Sequence, residues 1–373
     1  MSSYNGIEID LSELEGRSFE CSPQCGLCCL CQPELLPEER AYFRKNHPHS
    51  TITKTSPHRH TALALKKGRG SCVFLKDRRC TVYPHRPRFC RQFPYHFHVG
   101  ERVQVELDLS CRGVWGEGQD AKVEAEGLIR ANLNELRSTL RESKAVYSEF
   151  HSNCQEAGIY RDPNYLRDQV ALRATKLTDM GYLAQVVEAS YMDDELVLSD
   201  LDAPTAFDMD ELEDAARQAS LDSLASEDPV HLPVYCDEGW QWNLFSIEGN
   251  EVLWNVLDDQ GDLHLQGSVD PEGVPLLVPE EDGRRLLQEY ISMLNRRDSV
   301  QGNAYFLVDS YGYEDHVSNV YCGVLSIAIL DLLWRSSLIA HLKRSSLDRN
   351  GVREGIIFYD MDRLDAPTIG AFI

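Results

Sequence analysis

Nine of the twelve cysteines fall within residues 21–111, and eight of them are spaced Cys21-x3-Cys25-x2-Cys28-Cys29, then Cys72-x7-Cys80-x9-Cys90, then Cys111. Thiolate sulfur is a soft ligand preferred by zinc, iron and iron–sulfur clusters. Gly26 lies within the tightest run, where a residue without Cβ permits the sharp turn that gathers closely spaced sulfurs on one centre. Side chains of adjacent residues point apart, so Cys28 and Cys29 are expected to serve different centres, or one ligates while the other packs. Eight thiolates divide into two sets of four, enough for two tetrahedral zinc sites, two four-iron clusters, or one of each. A disulfide framework is the competing chemistry. The opening Met-Ser-Ser-Tyr-Asn-Gly shows no charged and apolar segments of a secretory signal. The expected compartment is therefore the reducing cytoplasm, where cysteine clusters bind metal or carry redox chemistry more often than they form bridges.

Charge is distributed to suit such a site. The formal net charge is -23, yet residues 40–91 carry fourteen Lys and Arg against a single acid, Asp77. Lys76, Arg78, Arg79, Arg86, Arg88 and Arg91 are interleaved with Cys80 and Cys90, which favours compensation of thiolate charge over reception of an anionic ligand. No helix-turn-helix, zinc-finger or RNA-recognition signature accompanies the basic stretch, so nucleic acid is not the expected partner.

From Phe19 the chain reads Phe-Glu-Cys-Ser-Pro-Gln-Cys-Gly-Leu-Cys-Cys. This resembles the opening of the cysteine-cluster (CxxxCxxCC) family of zinc- or iron-chelating proteins. Cys72-Val73-Phe74-Leu75 with Cys80-Thr81-Val82-Tyr83, and Arg86-Pro87-Arg88-Phe89-Cys90-Arg91-Gln92-Phe93-Pro94, are similar to its later motifs. Cys111-Arg112-Gly113-Val114-Trp115-Gly116-Glu117-Gly118 is similar to its closing C-x-G-x-G-x-G element, with Trp115 lengthening the first glycine interval. The resemblance covers roughly residues 19–118 and implies metal or iron–sulfur binding through the eight matching cysteines. A more distant branch includes flagellin lysine methylases, so protein modification is an analogy rather than an inheritance.

Cys31 lies outside these motifs and reads as a spare ligand or a partly buried thiol, while Cys154, Cys236 and Cys322 read as core residues. Seven of the twelve histidines share the region. His96 and His98, spaced by two, would occupy one strand face, where solvated surface histidines are the simpler expectation and a mixed Cys/His site or proton-transfer pair the sharper one. Arg86 stands beside a turn proline, where a guanidinium can donate its fork of hydrogen bonds to backbone carbonyls or cluster thiolates and so position Cys90. It is the one cofactor-contacting residue expected apart from the cysteines.

Further elements must hold these loops. Residues 121–150 and 166–189 show helical spacing of apolar residues. Residues 192–228 are strongly acidic, with one short helix near 210–224; the segment reads as a solvated linker or as an intramolecular partner for the basic stretch. From residue 231 the period changes to two, and segments 232–236, 241–247, 252–257 and 263–269 form a predicted meander. Helices are expected at 281–295 and 319–342 and a strand at 304–310. No apolar run reaches the roughly 20 residues of a membrane span. No P-loop, dinucleotide fingerprint, HExxH or nucleophile elbow appears.

The predicted architecture is α+β. It comprises a cysteine-cluster metal-binding domain (1–118), a helical segment (119–191), an acidic linker (192–229) and a C-terminal domain (230–373) whose antiparallel meander packs on helices. The expected ligands are Cys21, Cys25, Cys28, Cys29, Cys72, Cys80, Cys90 and Cys111. An iron–sulfur cluster, 4Fe-4S in type, is preferred over zinc because the thiolates are many, the loop is compact and cations surround it. Three roles follow from this chemistry: a cluster-assisted redox or methyl-transfer enzyme acting on a protein substrate, a zinc-stapled module binding an acidic partner through Lys66, Lys67 and Arg69, or a metal delivery or storage protein.

Overall fold

The structure is a computed structural model that describes residues 2–55, 59–201, 207–225 and 232–373. His58 and parts of the acidic segment lie outside the described residues.

The architecture is α+β, as the sequence predicts. Five strands form one sheet in the order Ser2–Tyr4, Ile7–Asp10, Val103–Leu107, Tyr95–Val99 and Ala371–Phe372. All neighbours run antiparallel except Ile7–Asp10 beside Val103–Leu107. Val103–Leu107 is buried at every position although it reads Val-Gln-Val-Glu-Leu. Its polar face is satisfied by the start of a helix, Asp298–Ser310: Gln104 accepts the Asp298 N–H, and Glu106 accepts both the N–H and the hydroxyl of Ser299. Helix N-termini leave donors unpaired, and these side chains answer them.

The meander forms with the predicted order, Val234–Cys236, Trp242–Glu248, Glu251–Leu257 and Leu263–Val269, each strand antiparallel to the next. Helix Ala121–Ala157 is longer than its apolar pattern suggests; Asp120 caps its start and left-handed Gly158 ends it. Residues 166–189 divide into Pro163–Arg173 and Met180–Ser190, because Asp179 caps a new helix through the Tyr182 N–H. The predicted helix of the acidic segment is Met209–Leu224, and it packs on Val317–Lys343, its buried Ser220 hydroxyl bonded to Asp331.

Three expectations are corrected. Residues 304–310 belong to helix Asp298–Ser310, not to a strand. His98 is wholly buried rather than solvated; its Nε2 lies 3.1 Å from the Thr368 hydroxyl, and burial pulls its pKa down to about 4. Helix Val317–Lys343 is long and apolar enough to cross a membrane by length and composition, yet 78% of its apolar window is buried inside the protein. It is a core helix, surrounded by Met180–Ser190, Met209–Leu224, Asp298–Ser310 and Arg349–Leu364.

Candidate metal centre

The cysteine region begins and ends at one place. Ser18–Phe19 pairs with Gln119–Asp120, and the Glu20 N–H donates to the Gly113 carbonyl. A Cβ on Gly113 would lie 2.4 Å from the Glu20 carbonyl oxygen, and one on Gly118 would lie 2.6 Å from the Phe19 backbone. Gly113 and Gly118 are thus required by close approach of the entry strand, whereas Gly116 faces open space.

Between these ends, short elements present sulfur. Gly26 is left-handed (φ 65°) and turns the chain into the single helical turn Leu27–Cys29. The Leu27 N–H then points back at Cys25 Sγ, 3.5 Å away. The Cys72 N–H donates to the Cys29 carbonyl, which ties the second motif to the first. Cys80 ends a hairpin, Leu75–Lys76 with Arg79–Cys80, whose two turn residues Asp77 and Arg78 are both left-handed. That turn type suits hairpin twist but ordinarily calls for Gly or Asn. Here it aims Arg78 at the cluster region: Arg78 donates to the Cys25 carbonyl at 3.1 Å and stacks 3.6 Å above the Trp242 ring. Cys90 rides on the short helix Arg88–Gln92.

All eight predicted ligands line two adjoining cavities. The larger, about 390 Å³, is bordered by Cys21, Cys28, Cys29, Cys72, Cys80 and Cys90, with Cys31 as a seventh thiol. The smaller, about 40 Å³, is bordered by Cys21, Cys25, Cys28, Cys90 and Cys111. Cys28 borders both. Cys29 borders only the larger, so both adjacent thiols face the same space, and their side chains hydrogen-bond each other rather than pointing apart. All twelve cysteines are free thiols. Among the described residues no three His, Cys, Asp or Glu side chains converge tightly enough to hold an ion as they stand, so loading requires side-chain rotation about the cavities.

The electrostatics fit a bound cation. Burial raises the Cys72 thiol to about 11, and the nearby sulfurs of Cys80 and Cys28 push the same way. Cys90 and Cys111 are raised by burial and by neighbouring cysteines. Crowded, desolvated thiols resist ionisation one by one, and a metal bound among them reverses that balance by supplying the missing positive charge. Cys25 and Cys28 are exceptions: hydrogen bonding with Cys236, the Leu27 N–H, and the Arg112 and Arg78 guanidiniums bring Cys25 down to about 7 against the cost of burial. Cys28 is lowered chiefly by its hydrogen bond with Cys29, with help from Arg86.

The basic residues divide. Arg78, Arg79 and Arg86 border the larger cavity, Arg86 and Arg91 the smaller. Arg86 donates to the Tyr83 carbonyl and stacks on the Tyr83 ring, and its charge favours the thiolates of Cys21, Cys28 and Cys80. Arg88 turns away and pairs with Glu135. Lys66 pairs with Asp259, and Lys67 and Arg69 with Asp262, in the turn between the last two meander strands. There Gly70 and Gly261 meet so closely that a Cβ on Gly70 would sit 2.5 Å from the Gln260 backbone. The meander therefore docks on the cysteine region through Trp242 on one side and this glycine contact on the other.

The sequence pattern did not single out Arg112, Trp242 or Cys236 as part of this site, and it left Cys31, which borders the larger cavity, between a spare ligand and a partly buried thiol. Cys236 Sγ lies 3.8 Å from Cys25 Sγ. Its strand, Val-Tyr-Cys, reads as ordinary core, and no spacing signal marks it.

Fold and site together define an α+β protein with a cysteine-lined, metal-chelating region near its amino end. Residues 20–112 match the model of a family described as "Putative zinc- or iron-chelating domain", a match that covers less than half of the chain and supports metal binding in general. No curated protein and no solved structure matches the chain.

Proposed function

We propose that this chain is an iron–sulfur protein whose four-iron cluster is held in the larger cavity by cysteines drawn from Cys28, Cys29, Cys72, Cys80 and Cys90. The observation that carries the reading is the seven-thiol lining of a 390 Å³ space. One water needs only roughly 10–15 Å³ of such space, so a single ion would leave the cavity largely unfilled. Phe74 and Val82 line the same space, and an apolar wall limits solvent access and tunes such a centre. When bound, the cluster supplies one-electron chemistry; the chain's own arginines offset the charge of its thiolates.

The reading extends to a cluster-assisted redox or methyl-transfer reaction on a protein substrate in the cytoplasm. Such a reaction needs free space beside the cluster, and the cavity has a half-exposed residue, Tyr83, on its rim. Protein purified without oxygen and analysed for iron, acid-labile sulfide and zinc tests the proposal. Acid-labile sulfide with at least as much iron is expected, with a broad visible absorption that fades on reduction. Stoichiometric zinc without sulfide would contradict it.

A further inference from the structure

We propose that Cys236, a strand residue outside every cysteine motif, is a ninth metal ligand that shares a single ion with Cys25. The inference rests on the metal-binding reading above and adds a second, mononuclear centre to it.

Distance is the first argument. The two sulfurs are 3.8 Å apart. Two thiolates each about 2.3 Å from one tetrahedral zinc ion are separated by about 3.8 Å, whereas a disulfide requires about 2.05 Å. The pair is thus already spaced for a shared ion.

The second argument is how both residues are held. The Cys25 carbonyl accepts hydrogen bonds from Arg78 Nη1 at 3.1 Å and Trp242 Nε1 at 2.9 Å. The Cys236 carbonyl accepts one from Arg112 Nε at 2.6 Å, and Arg112 is in turn anchored by Glu354. Main-chain clamps on both sides fix the sulfurs face to face, and ligand positioning of this kind is what outer-shell contacts supply in metal sites. Cys236 is fully buried, among Leu27, Leu75, Trp242 and Leu257. Trp242, its antiparallel partner in the meander, also packs on Gly26 of the cysteine loop.

The third argument is size. The cavity beside Cys25 measures about 40 Å³ and carries Cys21 and Cys111 on its wall. It has room for one ion and none for a four-iron cluster. Cys236 does not line this cavity and reaches it only through Cys25; with Cys21 and Cys111 turned toward that pair, the four sulfurs would make a set of the kind that binds zinc or ferrous iron in closed tetrahedral shells. The ion would then staple the meander to the amino-terminal region at the point where Trp242 and Arg78 already join them.

The test uses the full chain purified without oxygen. Iron, zinc and sulfide are measured per chain in the wild type, in Cys236→Ser and in the remote buried-cysteine control Cys322→Ser. Cys236→Ser is expected to lose one metal ion per chain with sulfide unchanged, and Cys322→Ser to lose none. Wild-type metal content in Cys236→Ser would overturn the inference alone; a wild type free of metal would overturn the broader reading as well. A second measurement needs no variant. Wild-type protein, with or without prior chelator treatment, is oxidised with diamide and its disulfides are mapped by mass spectrometry. A Cys25–Cys236 link is expected only after chelation, and its equal formation in metal-replete protein would refute a shared ion.

Discussion

Cys28→Ser should cost the protein most of its bound metal. Cys28 borders the larger cavity, the smaller one, and a third space of about 220 Å³ beneath Phe89 and Phe93. It is also the sulfur that raises the greatest number of its neighbours, including Cys21, Cys29, Cys72, Cys80 and Cys90. Removing an outer-shell partner of a metal ligand weakens binding roughly 10–100-fold, and loss of a sulfur at the junction of two centres should exceed that. Because metal binding free energy adds to folding free energy, the thermal midpoint should fall together with the metal content. Cys154→Ser, a buried thiol on helix Ala121–Ala157, should keep its metal. Retention of wild-type metal by Cys28→Ser would show that the cavities are not where metal binds.

The largest loss of stability is expected from Arg297→Met. Arg297 is fully buried between two carboxylates: it donates to Glu13 at 2.9 Å and to Asp360 at 2.7 Å, with a further bond to the Leu107 carbonyl. Methionine fills similar volume but leaves two buried acids unpaired. Breaking a buried pair on one side costs about 3–5 kcal/mol, a large part of the roughly 5–15 kcal/mol that holds a folded protein together. The site is affected too. Asp360 also accepts the Leu109 N–H and the Tyr290 hydroxyl, and Met361 donates its N–H to Ser110. The residues leading to Cys111 therefore depend on this network. Urea midpoints should drop sharply for Arg297→Met and recover in the triple variant Arg297→Met, Glu13→Gln, Asp360→Asn, because the unpaired charges are then gone. A single-variant loss below about 1 kcal/mol, the range of an exposed pair, would contradict this account of the core.

The motif cysteines could be located from sequence because short spacings with a turn glycine leave few geometries that do not gather sulfur. The meander was equally legible, since its period of two is broken at Gly-Asn and Gly-Asp turns. Helix 319–342 announced itself by length. Residues 304–310, Ala-Tyr-Phe-Leu-Val-Asp-Ser, misled because a short apolar run fits a buried strand and a buried helix alike. What settles the matter is distant: the side chains of Gln104 and Glu106 receive the helix start. Of the five-stranded sheet only Tyr95–Val99 was legible, by the spacing of His96 and His98; its partners lie far along the chain, at residues 2–10, 103–107 and 371–372.

The charge pattern was half legible. Interleaving of arginine and cysteine predicted that Arg78, Arg79, Arg86 and Arg91 border the sulfurs, and they do. It did not predict that Arg88 would turn to Glu135 or that Lys66, Lys67 and Arg69 would be taken up by Asp259 and Asp262. Sequence shows that charges are close along the chain, whereas their partners are chosen by the approach of distant segments, 47 residues away for Arg88 and 193–195 for Lys66, Lys67 and Arg69. Cys236 escaped notice for the same reason. A cysteine on an apolar strand carries no sign of its use until the strand is brought against Cys25.

Inorganic iron among these sulfurs can be seen by diffraction measured across the iron and zinc absorption edges, from crystals grown without oxygen. An iron signal is expected in the space bounded by Cys28, Cys29, Cys72, Cys80 and Cys90. Absence of any anomalous scatterer there, or continuous density joining those sulfurs in pairs, would contradict it.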